Sequence, residues 1–125
     1  MQMVSADENL ILDPWSIWKF DLNAISPSAG KAISDAHPTF IWDAYPDAAY
    51  YQFSIVQDAP RVDFHKYKVI LENIRVDGNE YIVEDVTLKT CPYAWTVEAY
   101  NADGTIIAAM PGFRYFNNVD LPDDC

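Results

Sequence analysis

Catalysis in a short chain usually starts from histidine, and this chain has two, His37 and His65. His37 precedes Pro38 at the entry to an apolar run, and His65 closes an irregular stretch. Neither has the spacing of metal ligands or of a base serving a nucleophile. No Gly-x-Ser-x-Gly or His-Glu-x-x-His motif occurs, nor a phosphate-cradling glycine loop. With only four glycines in 125 residues, anion holes built from backbone donors are disfavoured. These residues predict a protein that is not an enzyme. Three other groups could still do chemistry. Asp47, Asp77 and Asp103, with Glu80, lie in or beside turn sequences, and Ca²⁺ takes several carboxylate and carbonyl oxygens. Aspartate is also simply a good turn residue. No Asp-x-Asp loop spacing is present, so the turn reading is preferred and no cofactor is expected, with Ca²⁺ the one candidate. Trp15, Tyr45, Tyr50 and Tyr100 are aromatics with a claim on the surface, where a flat ring can stack on a sugar face. Cys91 and Cys125 are the two cysteines.

Charge narrows the partners. Nineteen acidic residues against eight basic ones leave a net charge of −11. No basic stripe is available to displace counterions from phosphates, so nucleic acid is excluded. An anionic membrane surface is disfavoured for the same reason, and a charged partner should be cationic. No run of eighteen apolar residues predicts membrane insertion. Residues 1–8 lack the basic start and apolar middle of a signal peptide, so the chain is expected to be either cytosolic or a piece of something longer.

The elements that must position these groups read as strands. In Pro92–Tyr100, residues Tyr93, Trp95, Val97 and Ala99 fall at every second position, the period of a strand with one buried face. Asn101-Ala102-Asp103-Gly104 follows as a hairpin turn. Strands are also predicted over 38–44, 49–57, 66–76 and 80–88, with Asp77-Gly78 as a second hairpin signal. A last strand over 105–116 is broken by Pro111-Gly112, which suits an edge with a bulge. Half of the residues are apolar, enough for a core without metals. No helical stripe appears, so the expected fold is an all-β, two-sheet antiparallel sandwich. Strands running up and down put the turns at 45–48, 77–79 and 101–104 at one pole. Parity then points Tyr50 and Tyr100 outward on neighbouring strands. That gives either a shared glycan-binding patch or plain cross-strand pairing, and pairing is the preferred reading.

Before these strands, residues 10–22 form an apolar arm in which Trp18, Phe20 and Leu22 alternate with Lys19 and Asp21. The small-residue loop 25–31 marks its boundary with the main domain. Its apolar face must be covered, either by this domain's own sheet edge or by a neighbouring copy or module, and the own edge is the preferred reading. The division expected is 1–25 as an N-terminal arm or the end of a preceding module, 26–116 as the domain, and 117–125 as an acidic tail.

Pro38-Thr-Phe-Ile-Trp42, Ala48-Ala-Tyr-Tyr51-Gln-Phe-Ser-Ile55, and Leu88 with Tyr93-Ala-Trp95-Thr-Val97-Glu-Ala99 together resemble a fibronectin type III domain. The resemblance is to the divergent kind found in bacterial secreted and surface proteins. It implies an immunoglobulin-like sandwich with Trp42 as the core tryptophan of the second strand. It also implies that Leu88 and Tyr93 form a tyrosine corner, the Tyr93 hydroxyl bonding nearby backbone. No Arg-Gly-Asp follows residue 100, so an integrin-type role has no support. Cys91 then precedes the strand beside which the last strand ends, within reach of Cys125. A Cys91–Cys125 disulfide is expected if the protein is exported; the alternative is two free thiols. The implied role is a non-catalytic interaction or spacer module of an exported or cell-surface multi-domain protein, with other protein modules or copies of itself as partners. Two further readings are a carbohydrate-binding accessory module using exposed aromatics and a structural subunit assembling through the 10–22 strand.

Overall fold

The computed structural model describes residues 19–58 and 67–124. Nine strands form: β1 (Ala24–Ser26), β2 (Lys31–Ile33), β3 (Thr39–Trp42), β4 (Tyr50–Asp58), β5 (Tyr67–Val76), β6 (Glu80–Ile82), β7 (Cys91–Tyr100), β8 (Ile106–Ala109) and β9 (Arg114–Asn118). They make a two-sheet, all-β sandwich. A three-stranded sheet runs β1-β3-β6, and a six-stranded sheet runs β2-β9-β7-β4-β5 with β8 also on β7. The N-terminal strands β1 and β2 are divided between the two sheets, and β8 and β9 both pair with β7. Among the described residues no helix is long and apolar enough to cross a membrane.

Strand β7 is central because both of its flanks are paired: β4 lies on one side, β8 and β9 on the other. Tyr93, Trp95, Val97 and Ala99 are all buried, as their period of two requires. Across the sandwich, Phe40 and Trp42 of β3 fill the space above them. The Phe40 ring lies 4.9 Å from Phe53, 5.0 Å from Trp95 and 5.7 Å from Phe116. The tilted and edge-on geometries are those favoured by ring quadrupoles. The Trp95 indole N–H donates to the Pro27 carbonyl at 3.3 Å, whereas the buried Trp42 Nε1 has no hydrogen-bond partner. The Tyr93 hydroxyl accepts the Lys89 backbone N–H at 2.8 Å beside the buried Leu88, so the tyrosine corner is present.

The turns at 45–48, 77–79 and 101–104 do share a pole, because Tyr50 pairs with Tyr100 and Tyr51 with Val76. In the last of them Gly104 takes φ 82°, a conformation glycine adopts without a Cβ clash. Asn101 Oδ1 ties that turn by accepting N–H groups from Asp103 and Thr105. The break at Pro111-Gly112 separates β8 from β9 as expected, with Gly112 at φ 86°.

Two expectations need correction. The return strand foreseen over 80–88 ends at Ile82, because its partner β3 has only four residues; Val83 and Leu88 still reach the core from irregular chain. Among the described residues of the 10–22 arm, 19–22, the expected alternation does not hold: Leu22 is buried, but Phe20 is 49% exposed at a bend. Of the two covers expected for the arm, residues 19–25 take the domain's own sheets. Lys19 bridges Ala108 in parallel, the Leu22 N–H donates to the Ala109 carbonyl, and β1 pairs with β3. This stretch is the sandwich's own first strand, lying on the domain's own β8. At the other end, residues 119–124 fold back rather than trail away. Thr90 N–H donates to the Asp123 carbonyl at 2.7 Å, and the Leu121 N–H donates to Thr90 Oγ1 at 2.7 Å.

Candidate binding groove on the outer sheet face

Outward positions of the six-stranded sheet alternate with the core positions, so β4 contributes Tyr50, Gln52 and Ser54 while β7 contributes Thr96, Glu98 and Tyr100. The register sets them opposite one another in rows: Tyr50 with Tyr100, Gln52 with Glu98, Ser54 with Thr96. The first row is a stack of two rings 5.2 Å apart and 4° from parallel. Arg75 on β5 lies over the Tyr50 ring at 4.1 Å. Since β4 sits between β5 and β7, the two faces of Tyr50 are taken by Arg75 and Tyr100. Neither is left open for a sugar, and the pair acts first as a cross-strand clasp. The Tyr100 hydroxyl donates to Glu98 Oε1 at 2.9 Å and approaches Gln52 Oε1 at 3.2 Å. Burial and then this carboxylate push the Tyr100 phenol up to about 12.

The opposite end of the face is closed by a second tyrosine pair. Tyr67 on β5 and Tyr115 on β9 are separated by β4 and β7, three strand spacings or about 14 Å. Their side chains lean together until the hydroxyls are 2.9 Å apart. Under this arch lie Val56 and Ala94, which face each other across β4 and β7 and are 8% and 0% exposed although they occupy the outer face. The shared hydrogen bond raises the Tyr115 pKa, with partial burial and the Tyr67 and Asp58 charges adding to it.

Between the two tyrosine pairs the floor drops to the short side chains of Ser54 and Thr96. Val69 and Leu71 rise on the β5 side and Phe113 on the other, enclosing a groove of about 320 Å³. Its polar groups retain hydrogen-bonding capacity. Ser54 Oγ accepts the Asn73 N–H at 2.9 Å, leaving its own proton to donate, and Thr96 Oγ1 donates to the Gly112 carbonyl, leaving its lone pairs. A larger hollow, about 400 Å³, lies beside Thr90, Cys91 and Asp124, but no aromatic ring lines it.

The other expected sites fare differently. Asp47, Asp77 and Asp103 share the pole but do not gather: among the described residues no three His, Cys, Asp or Glu groups could hold a metal ion. Asp77 instead pairs with Arg75 at 3.1 Å, and Asp47 takes φ 68° as a turn residue. Tyr45, a possible surface ring, donates its hydroxyl to Asp21. His37 is spent on structure, its Nδ1 3.1 Å from the Val83 carbonyl. Cys91 is disulfide-bonded. Trp15, His65 and Cys125 lie outside the described residues. Tyr67, Val69, Phe113 and Tyr115 were not singled out from the sequence. Register shifts at Phe53/Ile55 and Ile55/Val56 break the period of two along the β4–β5 pair. The one signal available was the large side chains at positions 67, 69, 113 and 115, which sequence parity alone assigns to no face.

No family model matches the chain, and none of the curated proteins does. Among solved structures, it is similar to the fibronectin(III)-like modules of Clostridium thermocellum CbhA, with a TM-score of 0.48, 14% identity, and coverage of 78% of this chain and 94% of that one. It is also similar to part of a β-1,2-glucanase from Parabacteroides distasonis, with a TM-score of 0.44 and 18% identity, covering 82% of this chain but 13% of the glucanase.

Proposed function

We propose that this domain is a non-catalytic interaction module of an exported, multi-domain protein, and that it holds its ligand on the outer face of the six-stranded sheet. The observation that carries this reading is the groove between the Tyr50–Tyr100 and Tyr67–Tyr115 pairs, where polar side chains with spare hydrogen-bonding capacity meet exposed apolar ones. Ligand sites combine these two features. The disulfide at Cys91 supports an oxidising compartment.

The test is amide chemical-shift mapping of the ¹⁵N-labelled chain against neutral hexasaccharides, polygalacturonate and hexalysine. Shifts clustered on β4, β5 and β7 are the expected result. Binding confined to the 101–104 pole or to the three-stranded sheet, or turnover of any of these probes, would overturn the reading.

A further inference from the structure

The lining of the groove narrows the class of ligand, and we infer that it takes a neutral oligosaccharide. This rests on the reading above that the groove is the binding surface. No lysine or arginine lines it, while Glu72 and Glu98 do, and the chain carries −11 overall. An anionic ligand would therefore enter against the field of the protein and find no cation to pair with. The remaining polar groups are Gln52, Ser54, Asn73 and Thr96, neutral side chains that between them donate and accept. A polyol, in which every hydroxyl does both, matches such a set. An ordinary peptide matches it poorly. The backbone groups of β4 and β7 along the floor are consumed by pairing on both flanks, so a peptide main chain would meet side chains alone.

The apolar contribution fits the same class. Phe113 is 42% exposed and Tyr67 50% exposed, and both line the groove. The tyrosine arch fixes Tyr67 in place through its hydroxyl, so its ring is presented without the entropy loss of a free side chain. The axial C–H face of a sugar needs a rigid ring of this kind. The aromatics that carry the site are thus Tyr67 and Phe113, while Tyr50 and Tyr100, whose rings are stacked on each other, close one end.

The experiment titrates the labelled chain with cellohexaose, laminarihexaose and mannohexaose, with hexalysine as the competing class. At least one hexasaccharide should shift the amides of Gln52, Ser54 and Thr96. Phe113→Ala should weaken that binding by ~10-fold, the scale of one lost aromatic contact. Thr96→Tyr, which fills the floor from a half-buried position on the outer face, should abolish it while the remaining amide spectrum stays dispersed. Groove shifts with hexalysine and with no hexasaccharide would keep the binding surface and overturn the carbohydrate assignment. Silence of the groove amides toward all four probes would overturn both. Saccharide binding that survives Thr96→Tyr would place the site elsewhere and overturn the inference.

Discussion

The hydroxyls of Tyr67 and Tyr115 meet at 2.9 Å above two intervening strands, and Ala94 beneath them is completely covered. Tyr67→Phe and Tyr115→Phe should each lower stability by about 0.5–1 kcal/mol, and the double variant should lose little more, since both remove one bond. Tyr115→Ala should lose about 1–2 kcal/mol because it also uncovers Ala94 and Val56. Urea denaturation checks this. An alanine variant no weaker than the phenylalanine one would mean that the arch covers nothing of consequence.

Tyr93 anchors the turn before β7 through the Lys89 N–H. Tyr93→Phe keeps the ring in the core but leaves that partly buried donor unmatched. A loss of about 1–2 kcal/mol is expected. An unchanged urea midpoint would show that water replaces the hydroxyl.

The two core tryptophans differ in a way that mutation can read. Trp95 Nε1 is bonded to the Pro27 carbonyl, whereas Trp42 Nε1 is buried without a partner. Replacement by phenylalanine removes a similar volume at both sites. At Trp42 it also deletes an unmatched donor; at Trp95 it strands an acceptor. Trp95→Phe should therefore be the more damaging by about 1–2 kcal/mol. Equal losses, measured side by side by chemical denaturation, would contradict the pairing difference.

Alkaline pH should weaken the fold through Tyr100. Its pKa is 10.0 in an unfolded chain and is raised to about 12 here, first by burial and then by Glu98. Folding thus favours the protonated phenol. The stabilisation is complete below pH 10 and is lost as pH rises through 12. Glu98→Gln should bring the phenolate transition down part of the way, leaving the contribution of burial. Phenolate absorbance against pH, followed in wild type and variant, gives the answer, and coincident curves would remove the carboxylate from the account.

Cys91 is disulfide-bonded, and the chain has one other cysteine, Cys125. A bond between them closes a loop of ~35 residues and should contribute ~3 kcal/mol. Intact mass without reductant should be two hydrogens below the fully reduced value. Reductant should lower the thermal midpoint, and Cys91→Ser should match the reduced protein. A midpoint indifferent to reductant would show that the hydrogen bonds of the Thr90 backbone and hydroxyl with residues 121–123 hold the tail by themselves.

The core of this sandwich was legible because its strands keep a strict period of two. Phe40 and Trp42, Tyr51 and Phe53, and Tyr93 through Ala99 each place one face inward with no interruption. Turn chemistry at Asp77-Gly78 and 101–104 then fixed which ends meet. The groove was not legible, because it depends on places where the period fails. Two register shifts between β4 and β5 decide which of Val69, Ile70 and Leu71 face outward. The Tyr67–Tyr115 contact joins residues 48 apart in sequence and leaves no local mark. The cover of the first strand was left between two alternatives for a related reason: Lys19 and Leu22 take their partners from β8, some ninety positions later, so nearby residues do not reveal where they belong.

That last pairing bears on how the chain is made. Residues 19–33 are linked to β8, then to β3, then to β9, so this early segment of the domain finds most of its neighbours only when the domain's later strands have been made. Until then Leu22 waits without shelter, and the nascent domain is open along the flank where this segment will dock. Closure of this flank therefore has to wait until translation has passed Asn118, when the domain's first strand can meet its last.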